Sequence, residues 1–116
     1  MVVLVSIPRQ KYRTLRLHLF KGQVEQGCFL FAQTYFDGGV VRLHAKEIHR
    51  IHADKWDEQS EHRLELKEEE KVKVMLKAKK LNYDLIECHS HRFCGSARLS
   101  SSDKYGLDEF VKYVWW

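Results

Sequence analysis

Cys88-His89-Ser90-His91-Arg92-Phe93-Cys94-Gly95-Ser96-Ala97-Arg98-Leu99-Ser100-Ser101-Ser102-Asp103 is the stretch around which the chain is organised. It holds two histidines two apart, a Ser/Gly-rich loop, and Ser-x-x-Asp opening a helical pattern. In extended backbone, residues i and i+2 point to the same side, so His89 and His91 can both reach one ion. Asp103 falls in the first turn of the expected last helix and can face the same point. Two imidazoles and a carboxylate are a recurring ligand set for a catalytic zinc, which takes three protein ligands and keeps its fourth position for water. With no cysteine among the three, the set is of the hydrolytic kind. On the residues alone, an HxH pair is common, and the stretch reads equally as a hydrogen-bonded strand end followed by an ordinary helix cap.

Working outward, Asp84-Leu85-Ile86-Glu87-Cys88 reads as the strand that delivers the histidines. Before it, Lys67 to Leu81 carries Val72, Met75, Leu76 and Ala78 against a charged face, which predicts an amphipathic helix. Its three glutamates, Glu68 to Glu70, and six lysines read as a solvated face, acidic toward the N-terminus and basic toward the C-terminus. Arg63 to Leu66 alternates as a brief strand, and Ala53 to Glu61 reads as a loop. Cys28 to Phe36 is nearly continuous in apolar residues and predicts a buried strand. Asp37-Gly38-Gly39 turns it into a partner, Val40 to Ala45, with a continuation toward Ile51 hinted at. His49-x-x-His52 reads as surface. Val2 to Ile7 is a β-branched strand, and Pro8 suits the start of a helix over Gln10 to Gln23. After Asp103, Tyr105, Leu107, Phe110, Val111 and Val114 predict a closing helix.

At 116 residues the chain makes one domain over 1–116. The order of strands and helices predicts an α/β fold with a mixed sheet. No apolar run approaches the ~20 residues of a membrane span, so no membrane partner is expected. The three cysteines have no disulfide-scaffold spacing, and no secretory leader precedes the first strand; both point to a cytoplasmic protein. Cys28 and Cys88 read as core filler. The net charge of +4 is mild and scattered. The chain stops at Val114-Trp115-Trp116 within an apolar run, which reads as truncation at the C-terminus, a homo-oligomer contact, or a docking point for a partner protein.

His89-Ser90-His91 through Ser100-Ser101-Ser102-Asp103 resembles the JAMM motif of the JAB/MPN-domain metalloproteases, HxH-x(7)-SxxD with an acidic residue far upstream. Glu25-Gln26-Gly27-Cys28-Phe29-Leu30-Phe31 resembles the family's upstream element, and the strand order agrees over nearly the whole chain. The resemblance implies a JAB/MPN fold, related to the cytidine-deaminase-like fold, with a curved mixed sheet flanked by helices. It implies zinc on His89, His91 and Asp103, Glu25 as general base and then acid, and Ser100 supporting the oxyanion. It also implies hydrolysis of the isopeptide or peptide bond at the tail of ubiquitin, a ubiquitin-like protein or a sulfur-carrier protein. Three features depart from the pattern. Eight residues separate His91 from Ser100, Arg92 stands where proline is frequent, and the chain ends where the family usually continues. A non-catalytic MPN-type interaction module is the alternative, but such modules lack the ligand set. Nucleic acid is not an expected partner. A deaminase of that wider fold would need a zinc set containing a CxxC pair, and this chain has none.

Overall fold

A computed structural model describes residues 2–92 and 103–104. The architecture follows from one long strand whose two faces are both apolar. β2 (Gly27–Asp37) runs antiparallel to β3 (Val40–Arg50) through the Asp37–Gly38–Gly39 turn. Gly38 and Gly39 take φ of 52° and 86°, left-handed values that a side chain would strain. On its other edge β2 pairs antiparallel with β6 (Asp84–His89). β1 (Val2–Ser6) lies parallel to β3, giving the mixed order β1-β3-β2-β6.

Alternation along β2 serves a separate core on each face. Phe29 and Phe31 join Ile51, Leu66, Val74 and Ala78, under α2 (Glu68–Leu81). Cys28 packs with Leu15 and Leu19 of α1 (Arg9–Leu19), with Ile7, Ile48 and Cys88 around them. The helices therefore cover opposite faces, and the described chain is a small α/β fold with a mixed sheet and two helices. Among the described residues no helix is long and apolar enough to cross a membrane.

The helix termini follow simple electrostatics. Pro8 precedes α1 with φ −56°, and its carbonyl accepts from the Tyr12 N–H at 2.9 Å. In α2 the glutamates occupy the first turn and Lys79 and Lys80 the last, matching the helix dipole. Asn82, at φ 55°, closes the helix in the left-handed conformation.

Three expectations need correction. Ala53 to Glu61 is not simply a loop: a 3-10 turn at Ala53–Lys55 leads into β4 (Trp56–Gln59), which pairs antiparallel with β5 (Leu64–Leu66). Trp56, packed against the Phe29/Phe31 core, anchors this ribbon. The buried face of α2 is Glu70, Val74 and Ala78, an i, i+4, i+8 row, whereas Leu76 is exposed. Glu70 is therefore no solvated charge, and His49, which pairs with it, is not surface filler. The α1 helix also stops earlier than its pattern, at Leu19. The closing helix beyond Lys104 and the Trp115/Trp116 end lie outside the described residues.

Candidate metal centre

β6 ends at His89, and Ser90 and His91 follow it outside the strand. The two imidazoles meet: His89 Nε2 and His91 Nε2 are 2.9 Å apart. Asp103, in helical backbone, brings Oδ2 to 3.2 Å from His89 Nε2 and 3.1 Å from His91 Nε2. The three side chains are 14%, 14% and 10% exposed, so they are largely withdrawn from water yet not sealed. His89, His91 and Asp103 thus form a group that could hold a metal ion.

The donor geometry fits a small divalent cation. Zinc bound tetrahedrally at about 2.0–2.1 Å from nitrogen and oxygen spaces its ligand atoms ~3.3 Å apart. The separations of 2.9–3.2 Å are close to that value. Two ring nitrogens and a carboxylate oxygen turned on one another are a concentrated donor set. A cation satisfies all three lone pairs at once.

Glu25 lies just before β2. It is 5% exposed, and its Oε2 has no hydrogen-bond partner among the described residues. A buried, unpaired carboxylate oxygen is costly and calls for a ligand or a proton. Burial raises the pKa of Glu25, and the negative charge of Asp103 adds to the rise, while His89, His91 and His62 oppose it. The charges of His89, His91 and Asp103 are thus felt at Glu25. Its backbone is held from the ribbon side: the Glu25 N–H donates to Ser60 O at 2.8 Å, and Gln59 Nε2 donates to Glu25 O at 2.9 Å.

Gly27, two residues on, is a place where only hydrogen fits. A Cβ there would stand 2.8 Å from Trp56 Cη2 and 3.0 Å from Trp56 Cζ2. The indole of β4 therefore lies directly on the start of β2, where His18 of α1 also donates from Nε2 to Gly27 O at 2.8 Å.

His89, His91 and Asp103 are thus brought together, and Glu25 feels their charges. Ser100, the expected oxyanion donor, lies outside the described residues, as do Cys94 and Arg98. Gln59 and Ser60, which hold the Glu25 backbone, lie in a polar segment that carries no local signal of this role.

No protein-family model matches the chain, and no curated protein does. The reading of the centre stands on its own residues.

Proposed function

We propose that this chain is a metal-dependent hydrolase, with zinc held by His89, His91 and Asp103, that cleaves the peptide or isopeptide bond at the tail of ubiquitin, a ubiquitin-like protein or a sulfur-carrier protein. The carrying observation is three donor atoms separated by 2.9–3.2 Å, whose charges act on a buried carboxylate, Glu25, with no partner for its Oε2 among the described residues. The JAB/MPN resemblance supplies the substrate class. The order of elements supports it, with the histidine pair at the end of β6 and the glutamate just before β2.

A divalent cation held by that group would lower the pKa of water to about 7 and polarise a carbonyl oxygen. The chain's own residues supply the proton traffic and the positioning. Glu25, a buried carboxylate, is assigned the general base. It takes a proton from the attacking water and returns it to the leaving amine, so that the new C–O bond and the broken C–N bond balance. Ser100 is assigned, from the motif, to donate its hydroxyl hydrogen to the developing oxyanion. Low exposure around the histidines limits competing water and strengthens each charge interaction.

The test is the purified chain with a linear fusion joined through a Gly-Gly tail. Stoichiometric zinc and cleavage after the second glycine are expected, with activity lost to a chelator and restored by zinc. A chain that takes up no metal and leaves the fusion intact returns the protein to the non-catalytic interaction module.

A further inference from the structure

The strand end that carries the histidines also binds a second segment. Just past the end of β6, Ser90 and Arg92 both meet the backbone between α1 and β2. The Gln26 N–H donates to Ser90 Oγ at 3.0 Å, and the Ser90 N–H donates to Gln26 O at 3.0 Å. Ser90 is 4% exposed. Arg92 donates from Nε to Val24 O at 3.0 Å and from Nη2 to Lys21 O at 2.6 Å and Leu19 O at 3.3 Å. These carbonyls belong to the end of α1 and to the irregular run that follows it. Carbonyls there lack helix or sheet partners and need donors from elsewhere. Glu25 sits within this clamped run, between Val24 and Gln26.

We propose that Ser90 and Arg92 are positioning residues that clip the 19–26 backbone to the histidine strand, and so fix Glu25 over the His89/His91/Asp103 group. One short peptide, 89–92, then carries two of the three ligands and also bonds the carboxylate's carrier. The clip holds the run on either side of Glu25, while Gln59 and Ser60 hold the Glu25 backbone itself from the ribbon. Arg92 suits the task because its planar, forked donors satisfy several carbonyls at once, which a lysine ammonium does less well. Proline at this position, frequent in the family the motif resembles, could make none of these side-chain bonds. In this chain the arginine replaces that stiffening with donated hydrogen bonds.

Amide hydrogen exchange on the metal-free protein tests the clip directly, comparing wild type with S90A, S90T, R92A and R92K. The hydrogen-bonded amides of the run are Phe20, Glu25 and Gln26. Gln26 in S90A, and Phe20 and Glu25 in R92A, are expected to exchange at least about tenfold faster, the scale set by losing hydrogen bonds that hold a local segment. S90T should restore protection at Gln26, and R92K should recover it in part at Phe20 and Glu25, while Leu30 and Ile48 stay at wild-type rates throughout. Unchanged exchange at these amides in S90A and R92A overturns the proposal. If either alanine variant also loses protection at Leu30 and Ile48, the decision passes to S90T and R92K. Wild-type protection of Phe20 and Glu25 in R92K then overturns the role of Arg92, and lost Gln26 protection in S90T overturns that of Ser90.

A second arm rests on the hydrolase reading above. With the Gly-Gly fusion, R92A should lower kcat by at least about tenfold while KM stays within about twofold, the mark of a displaced proton carrier, with zinc content unchanged. Zinc lost in step with kcat overturns the positioning of Glu25 by this clip. A wild-type protein that cleaves nothing defeats the hydrolase reading, and the exchange result still decides the clip.

Discussion

His49 Nε2 donates to Glu70 Oε1 at 2.7 Å, joining β3 to the first turn of α2 with the Glu70 side chain only 4% exposed. The contact closes one edge of the Phe29/Phe31 core, where the Phe31 ring also meets the edge of His49, with the ring centroids 6.3 Å apart. Removing the imidazole strands a buried carboxylate. We expect His49→Ala to destabilise the fold by about 3–5 kcal/mol and Glu70→Gln, which keeps an acceptor, by about 1–3 kcal/mol. Urea unfolding of the two variants beside wild type checks the order. Equal and negligible costs would remove this pair from the account of α2.

Metal binding should read out as stability. A ligand that binds only the native chain adds about 2.7 kcal/mol at a hundredfold excess over its Kd. Zinc should raise the melting temperature of the wild type and leave His89→Ala and Asp103→Ala unmoved, with metal content measured on the same samples. A zinc shift that persists in both variants would place the ion elsewhere.

For Glu25→Gln the expectation is retention of zinc with kcat lowered by at least about a hundredfold, the usual scale for removing a general acid–base group. Metal analysis and single-turnover cleavage of the Gly-Gly fusion are the paired measurements. Turnover at the wild-type rate would strike Glu25 from the chemistry.

His18 predicts a pH dependence. Burial lowers its pKa below 6.5, against the raising effect of the Gly27 hydrogen bond. Below 6.5 the unfolded chain takes up a proton that the folded one refuses, so stability falls as the pH drops from there toward the native value. The contribution is present above 6.5 and lost on acidification. His18→Gln should flatten the stability profile between pH 5 and about 7 relative to wild type. Parallel profiles for the two proteins would contradict the assignment.

Gly27→Ala tests the Trp56 contact. The added Cβ would stand 2.8 Å from the indole, and neither the strand nor the packed ring can yield cheaply. Overpacking of this kind costs about 1–3 kcal/mol, measurable in a thermal melt. A variant as stable as wild type would mean that the ribbon shifts freely over β2.

Much of this fold was legible because its signals are local. Cys28 to Phe36 announces a two-sided strand by its nearly continuous apolar run. Asp37-Gly38-Gly39 announces the turn by backbone freedom, and the spacing of His89 and His91 needs only the pitch of a strand. What was hidden depends on partners far away. Glu70 looks like one more solvated acid in Glu68-Glu69-Glu70 until His49 stands opposite it. Trp56-Asp57-Glu58-Gln59 is too short and too acidic to read as a strand, and becomes one because Trp56 docks on the core and Leu64 to Leu66 pairs with it. The role of Ser90 was hidden in the same way: its acceptor function requires knowing that Gln26 lies against it.

The parallel pairing of β1 with β3 has a consequence for synthesis. Val2 lies against Val40, so the strand Val2-Val3-Leu4-Val5 leaves the ribosome well before its only described neighbour has been made. At about 5–20 residues per second, that wait lasts seconds. During it an uncharged, β-branched peptide is open to other nascent chains and to holdase chaperones. Yield in cells should therefore depend on how quickly the β2–β3 hairpin follows, more than on the final stability of the sheet.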